Sequence, residues 1–340
     1  MKKKNLGQFY TTRAKYIMGD LIKDLPNEVP VIEPFCGNGD LLIFENQFEM
    51  YDIDPKKEGC IQRDTLRNPP DYKGKLVITN PPYLAKNKSE DKEIYQKYNI
   101  GDLYKASILS IMECKGGILI IPLNFFCDED DEIRKIFFNR FQVVNLKVFE
   151  ETVFDDTAYT ICAFSFLPRT SEKTSLKIKF FPSEYEEEFD VEEQTGYRIG
   201  SEFFKIVNSQ KNIGVSRLLI GESSNSKIFL RSIDTGSNEG RISLSMCNDP
   251  YYGEKSDRVF ATIKTPIEYT GKIQEKIVKE FNSFLEVNRK KYRSMFLTNY
   301  RNSSSSYSRK RISFEVAYKI ISYIIEKEGM PTNKVKKSLW

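Results

Sequence analysis

The chain has 340 residues, 40% of them hydrophobic, and its 52 Lys and Arg nearly balance 48 Asp and Glu, for a net charge of +4. That length suits two domains better than one small module, and so mild a charge names no partner by itself. There is no histidine, which excludes histidine acid–base catalysis, Ser-His triads and histidine metal sites.

Six cysteines occur, none in a CxxC pair. That argues against zinc and against a disulfide framework, and for a reducing, cytoplasmic setting. No apolar run reaches the roughly 18 residues of a membrane span. The start, MKKKNLGQFYTT, has a basic flank but no apolar core of a secretory signal.

In chain order, VPVIEPF (29–35) reads as a β-rich run and is followed by CGNGD. FEMYDID (48–54) is a second strand ending in acids, and KLVITN (75–80) a third. DLYKASILSIMECK (102–115) has apolar residues near helical spacing. GGILIIPLNFF (116–126) is a fourth strand behind a Gly-Gly turn, and EIRKIFFNRF (132–141) reads as helix. VVNLKVFE (143–150) and AYTICAFSFL (158–167) read as two further, antiparallel strands. The alternation predicts an α/β fold, an open and mainly parallel sheet with helices on both faces.

The character changes after Pro168. RTSEKTS (169–175) is linker-like, EYEEEFDVEE (184–193) holds seven acids, and 208–256 is rich in Ser, Asn and Gly. Two late helices are predicted, at 271–290 and 313–329, the second ended by Gly329 and Pro331. The division is therefore expected as 1–168 and 169–340, the second part being mixed α+β.

Two stretches carry chemistry. In VIEPFCGNGDLL a glycine turn follows a strand and precedes a helix-like run. Gly37 and Gly39 let backbone approach a nucleotide-like ligand at the carboxyl edge of the sheet. It is neither a dinucleotide fingerprint, lacking the third glycine, nor a phosphate loop, lacking GK[ST]. An acid at the end of the next strand, Asp52 or Asp54, suits a ribose diol, and Asp64 in QRDTL suits an adenine amino group.

The second stretch is TNPPYLAK (79–86). Adjacent prolines end a strand and fix φ twice. The Asn80 side-chain carbonyl and the Pro81 main-chain carbonyl become rigid acceptors for both hydrogens of one amine. For an amine conjugated to a ring, that geometry favours a pyramidal nitrogen with a free lone pair. Pro82 completes the stop, and Tyr83 offers a face for a base.

NPPY downstream of EPFCGNG resembles the DNA amino-methyltransferases that use S-adenosylmethionine, and the motif order resembles their gamma class, the TaqI-like adenine-N6 enzymes. GQFYTT (7–12), YDIDP (51–55), RDTL (63–66) and ETVFDDTAYTICAF (151–164) resemble further motifs of that family. The resemblance covers about 5–168. It implies a Rossmann-like methyltransferase sheet with a C-terminal target-recognition domain, base flipping in double-stranded DNA, and a restriction-modification or orphan setting. It implies that Thr11 and Glu33 hold the methionine end of the cofactor, with the backbone around Phe35 beside them and Gly37 and Gly39 in the cofactor motif. Asp52, with Ile53 next to it, would take the ribose, and Asp64 and Thr65 the adenine. Asn80, Pro81 and Pro82 would present the target amine, with the base between Tyr83 and Phe154; Tyr159 is the second choice for the latter place. Asp52 stands where the family often has Glu.

The segment 287–311 carries eight Lys and Arg and no acid. Arg289, Lys290, Lys291, Arg293, Arg301, Arg309, Lys310 and Arg311 are therefore expected to meet DNA phosphates. A restriction endonuclease acting separately is a partner the resemblance allows, and a monomer is favoured. The alternatives are a protein glutamine-N5 methyltransferase, whose catalytic domain is C-terminal, and an rRNA adenine-N6 methyltransferase, which has a single proline in this motif and a short tail. Cytosine-N4 is also open, although those enzymes more often start the motif with Ser.

Overall fold

The computed structural model describes residues 7, 9–43, 48–130, 132–154, 159–172, 174–235, 240–301 and 309–332, with the side chains of 299–301 excepted. The chain divides into two compact units, Met1–Arg198 and Ile199–Trp340.

The first unit is α/β, built on a nine-stranded sheet of order β3-β2-β1-β4-β5-β7-β6-β8-β9. The strands are β1 Val31–Glu33, β2 Phe48–Asp52, β3 Ile61–Gln62, β4 Leu76–Thr79, β5 Gly117–Pro122, β6 Phe141–Phe149, β7 Ile161–Pro168, β8 Thr174–Phe181 and β9 Tyr185–Val191. β1 is parallel to both neighbours, with Val31 opposite Phe48 on one side and Leu76 on the other. β5 is parallel to β4, whereas β7 runs antiparallel between β5 and β6. The central strands read VIE, LVIT and GILIIP and are buried along nearly their whole length. Continuous apolar runs of this kind suit strands covered on both faces. Gly117 makes the tightest approach: a Cβ there would lie 1.7 Å from the Val77 carbonyl oxygen.

The chain steps outward from β1 to β2 and β3, then returns to the other side of β1 for β4 and β5. That reversal leaves a crevice outside the carboxyl ends of β1 and β4, where ligands bind open α/β sheets. Glu33, Asp52 and Thr79 end β1, β2 and β4.

Two expectations change here. The boundary lies beyond 168, because 174–191 continues the first sheet. β8 pairs parallel to β6 with Leu146 opposite Ile178, and buries Leu176, Ile178 and Phe180 on alternate positions. The acid run forms much of β9 at the sheet's edge, where charge discourages pairing with another chain. Second, among the described residues no α-helix lies between β1 and β4. The glycine turn runs into further turn and loop, so no helix N-terminus backs it.

The remaining helices of this unit are α1 Ala14–Met18, α2 Glu93–Lys97, α3 Leu103–Ser110, α4 Asn124–Cys127 and α5 Glu132–Arg140. A phenylalanine cluster fixes α4 and α5 to β5–β7; Phe125 stacks on Phe164 at 6.2 Å, and Phe137 meets Phe166 at 5.4 Å.

The second unit holds an antiparallel sheet, β10 Ser216–Arg217, β13 Phe260–Lys264, β11 Ile228–Arg231 and β12 Ser243–Met246 in that order. α7, Gly271–Lys291, packs on β12 and β11 through a stripe of Ile277, Phe281 and Leu285. α6, Ser201–Ser209, and α8, Phe314–Lys327, complete the core. Ser313 caps α8, its hydroxyl accepting from the Val316 amide at 3.2 Å. β14 Thr298–Arg301 and β15 Arg309–Arg311 form a hairpin.

Candidate active site

A cleft of about 360 Å³ opens at the carboxyl ends of β1, β2 and β4. It is lined by Thr11, Phe35, Gly37, Asp52, Ile53, Asp64, Thr65, Asn80 and Pro82, all singled out from the sequence. Its floor is held by acids bound to backbone. One Asp52 oxygen accepts from the Gly37 amide and the other from the Asp54 amide, both at 2.8 Å. The side chain thus ties the glycine turn to the end of β2. Gly37 has φ +52, and a Cβ there would press on the Tyr10 ring at 3.0 Å. Gly39 lies in the same turn, its amide donating to the Cys36 carbonyl at 2.8 Å, and does not line the cleft. The Thr65 hydroxyl donates to the Pro34 carbonyl at 3.0 Å, locking the next loop against the turn.

Asp64 accepts from the Leu66 and Arg67 amides through one oxygen, each at 3.1 Å. Its other oxygen meets the Arg67 guanidinium at 2.8 Å. Arg67 also reaches Asp91 at 2.5 Å and Glu93 at 2.9 Å, pinning the 86–93 segment against the 63–67 loop. Arg67, Ser89, Asp91, Tyr95 and Leu103 line this far wall. They escaped the sequence reading because nothing local marks them; only folding brings 88–103 beside 63–67.

Glu33 sits just behind the lining, 1% exposed. One oxygen accepts from the Thr79 hydroxyl at 2.5 Å and the Phe35 amide at 3.1 Å, while the other is buried without a hydrogen-bond partner. Burial pushes its pKa up to about 8, against those two hydrogen bonds and with the Asp52 charge adding to the rise. A cationic group placed near that oxygen would reverse the effect.

The NPPY end is organised differently. The Asn80 amide nitrogen donates to the Phe9 carbonyl at 2.7 Å and to the Thr11 hydroxyl oxygen at 2.9 Å. A main-chain carbonyl only accepts, so this contact fixes which end of the amide is nitrogen. Asn80 Oδ1 is left facing the Tyr83 hydroxyl, which also lies 2.6 Å from the Ile120 carbonyl. Burial raises the Tyr83 pKa well above the ordinary phenol value, so the hydroxyl keeps its proton.

The expectation of an open stacking face needs correcting. Tyr83 and Phe154 are 5% and 1% exposed, and neither lines the cleft. The Phe9 ring stacks on Tyr83 at 5.4 Å and 26°, and Tyr104 meets it edge-on at 6.4 Å. Residues 155–158 after Phe154 lie outside the described residues, and Tyr159 is exposed. Pro81 is buried and does not line the cleft, whereas Pro82 is half-buried and does.

The basic segment also needs correcting. Arg289 is buried and makes a two-pronged ion pair with Asp234, at 2.9 and 3.2 Å. Lys310 is buried, and its carbonyl accepts from the Asp234 amide at 2.9 Å. Lys291 pairs with Glu202. The local sequence holds no acid, yet folding supplies two from elsewhere in the chain. Lys290 is exposed, while Arg293, Arg309 and Arg311 are half-buried. Arg301 lies in β14, its side chain outside the described part.

No family model matches the sequence, and no curated protein does. Among solved structures, the chain is similar to a type I restriction-modification system methyltransferase subunit from Streptococcus thermophilus, at 15% identity and TM-score 0.41, over 60% of this chain and 53% of that one. It is also similar to the type IIL restriction-modification enzyme MmeI in complex with DNA, at 12% identity and TM-score 0.41, over 69% and 46%. A third likeness is to DrdV in a DNA complex, at 12% identity and TM-score 0.42, over 68% and 36%. The chain spans about half of the first two proteins, and less of the third. Among the described residues, no helix is long and apolar enough to cross a membrane, and no cluster of acids and cysteines suits a metal ion.

Proposed function

We propose that this chain transfers the methyl group of S-adenosylmethionine to the N6 amino group of adenine in double-stranded DNA, on a nucleotide turned out of the helix. One observation carries the reading. Asn80 stands at the end of β4, on the lining of the switch-point cleft, with its amide orientation fixed by the Phe9 carbonyl. Both nitrogen hydrogens are used, and a single bond from Tyr83 leaves Oδ1 a second lone pair. That lone pair and the Pro81 carbonyl are the acceptors for the two hydrogens of a base amine.

Two features fit the cofactor. Glu33 offers a buried carboxylate oxygen without a partner, suited to an ammonium group. Gly37 leaves space under Tyr10 that a Cβ would fill. Thr11, Glu33 and Phe35 would hold the methionine end, Asp52 the ribose, and Asp64, Ile53 and Thr65 the adenine. When bound, S-adenosylmethionine supplies an electrophilic methyl group.

The chain's own residues then do three things. The strand ends and the proline pair orient amine and cofactor, so the encounter becomes intramolecular. Asn80 and Pro81 draw the amine hydrogens out of the ring plane, freeing the nitrogen lone pair, and the methylated nitrogen then gives up one of those protons to solvent. The wall held by Arg67 shields the cleft from water. None of these roles needs histidine, and the sequence has none. Expression in a methylation-deficient host, with modified bases mapped across the host DNA, tests the reading. One short sequence fully modified at adenine N6 is the expected result. Unmodified DNA would turn the reading toward RNA or protein.

A further inference from the structure

We infer that Phe9 is a placeholder for the target base. The inference rests on the adenine-N6 reading above. The ring of Phe9 already covers the face on which a flipped base would stack, and its carbonyl holds the residue that would meet the base amine. The Phe9 ring covers a face of Tyr83, 5.4 Å away and 26° from parallel. The Phe9 carbonyl accepts from Asn80 at 2.7 Å. Phe9 lines the cleft and Tyr83 does not, so the ring stands between Tyr83 and the space a ligand enters.

The backbone holds this arrangement in register. The Tyr83 amide donates to the Gly7 carbonyl at 2.9 Å. Gly7 has φ +67, and a Cβ there would strike the Tyr83 carbonyl at 2.7 Å. Gly7 is therefore laid directly on the NPPY loop, with no room for a side chain there.

An apolar ring on Tyr83 does what a base would do there: it keeps the phenol ring dry and packed while no base is present. The consequence is a competition. A flipped base must displace the Phe9 side chain, while the Phe9 carbonyl goes on orienting Asn80. Phe9 then sets a threshold for base entry, and removing its aromatic ring should lower that threshold. Aromatic pairing of this kind corresponds to roughly a two- to tenfold effect.

The test uses the full-length protein and a duplex carrying its mapped recognition sequence, with 2-aminopurine at the target adenine and S-adenosylhomocysteine present. Fluorescence reports the flipped population. Phe9→Leu keeps an apolar filler without an aromatic face, and Phe9→Ala removes the side chain. Both are expected to raise the flipped fraction per bound complex two- to tenfold over wild type, Phe9→Ala the more. An unchanged or lower fraction in Phe9→Leu overturns the inference and leaves Phe9 as packing alone. If the wild type methylates no DNA at all, the adenine-N6 reading fails and this inference falls with it. Transfer by the wild type without a rise in Phe9→Leu sinks the placeholder only.

Discussion

The two ends of the cleft are built on opposite plans. At the glycine-turn end, acids are anchored by backbone amides: Asp52 by Gly37 and Asp54, Asp64 by Leu66 and Arg67. Each carboxylate keeps lone pairs free for a ligand, so this end is pre-formed. At the NPPY end, the Asn80 nitrogen is taken by Phe9 and Thr11, and the Tyr83 ring is covered by Phe9 while its hydroxyl meets Asn80 and Ile120. A ligand there must displace a protein group. The difference fits what each end is proposed to receive. A small cofactor is recognised by a rigid mould, whereas a base arrives only after leaving its helix, at a cost of a few kcal/mol.

The sharpest way to break this comparison is to unfasten the pre-formed end. Asp52→Ala removes two amide-to-carboxylate hydrogen bonds, each worth roughly 1.5–3 kcal/mol. S-adenosylhomocysteine affinity should fall about ten- to a hundredfold or more by calorimetry. Undiminished affinity would mean that the turn holds its shape without Asp52.

Glu33 gives a smaller effect that depends on pH. Its pKa is raised to about 8 in the fold from an ordinary 4.5. Between those values the folded chain holds a proton that the unfolded chain has lost. Stability of the cofactor-free protein should therefore fall as pH rises from 4.5 to 8, then level off. Cofactor affinity should rise over the approach to pH 8, as the carboxylate becomes available to an ammonium group. Glu33→Gln should flatten both profiles; thermal melts and titrations across that range check it.

The smallest effect is expected from Arg67→Ala. Its ion pairs are with partly exposed acids, and Arg67 itself is 39% exposed, so each contributes at most about 1 kcal/mol. Cofactor affinity should drop roughly two- to fivefold, and less at high salt. A loss as large as that of Asp52→Ala would show that the far wall, and not the glycine turn, sets the mould.

The pre-formed end was largely legible in the sequence. Gly37, Asp52 and Asp64 stand at or just past the ends of short strand-like runs, and a parallel sheet brings consecutive carboxyl ends to one edge. What stayed hidden was non-local. TSLKIKFF alternates like any exposed strand, and only its pairing with β6 shows that it extends the first sheet. From the local sequence Tyr83 is an open face, because its cover, Phe9, lies 74 positions earlier in the chain. From the local sequence Arg289 is a phosphate contact, because its partner, Asp234, is 55 residues away. In both cases the local pattern was genuine, and a distant residue had already claimed the group.

The most direct measurement of the central claim compares wild type with Asn80→Ala. Transfer of labelled methyl to duplex DNA containing the mapped sequence is followed, and S-adenosylhomocysteine affinity is measured on the same samples. The expected result is a loss of at least 10²–10³ in transfer, by analogy with the removal of one preorganised catalytic hydrogen bond, with affinity within a few-fold of wild type. Substantial methylation by Asn80→Ala would contradict the account, because the amine would then be activated without the group that fixes it.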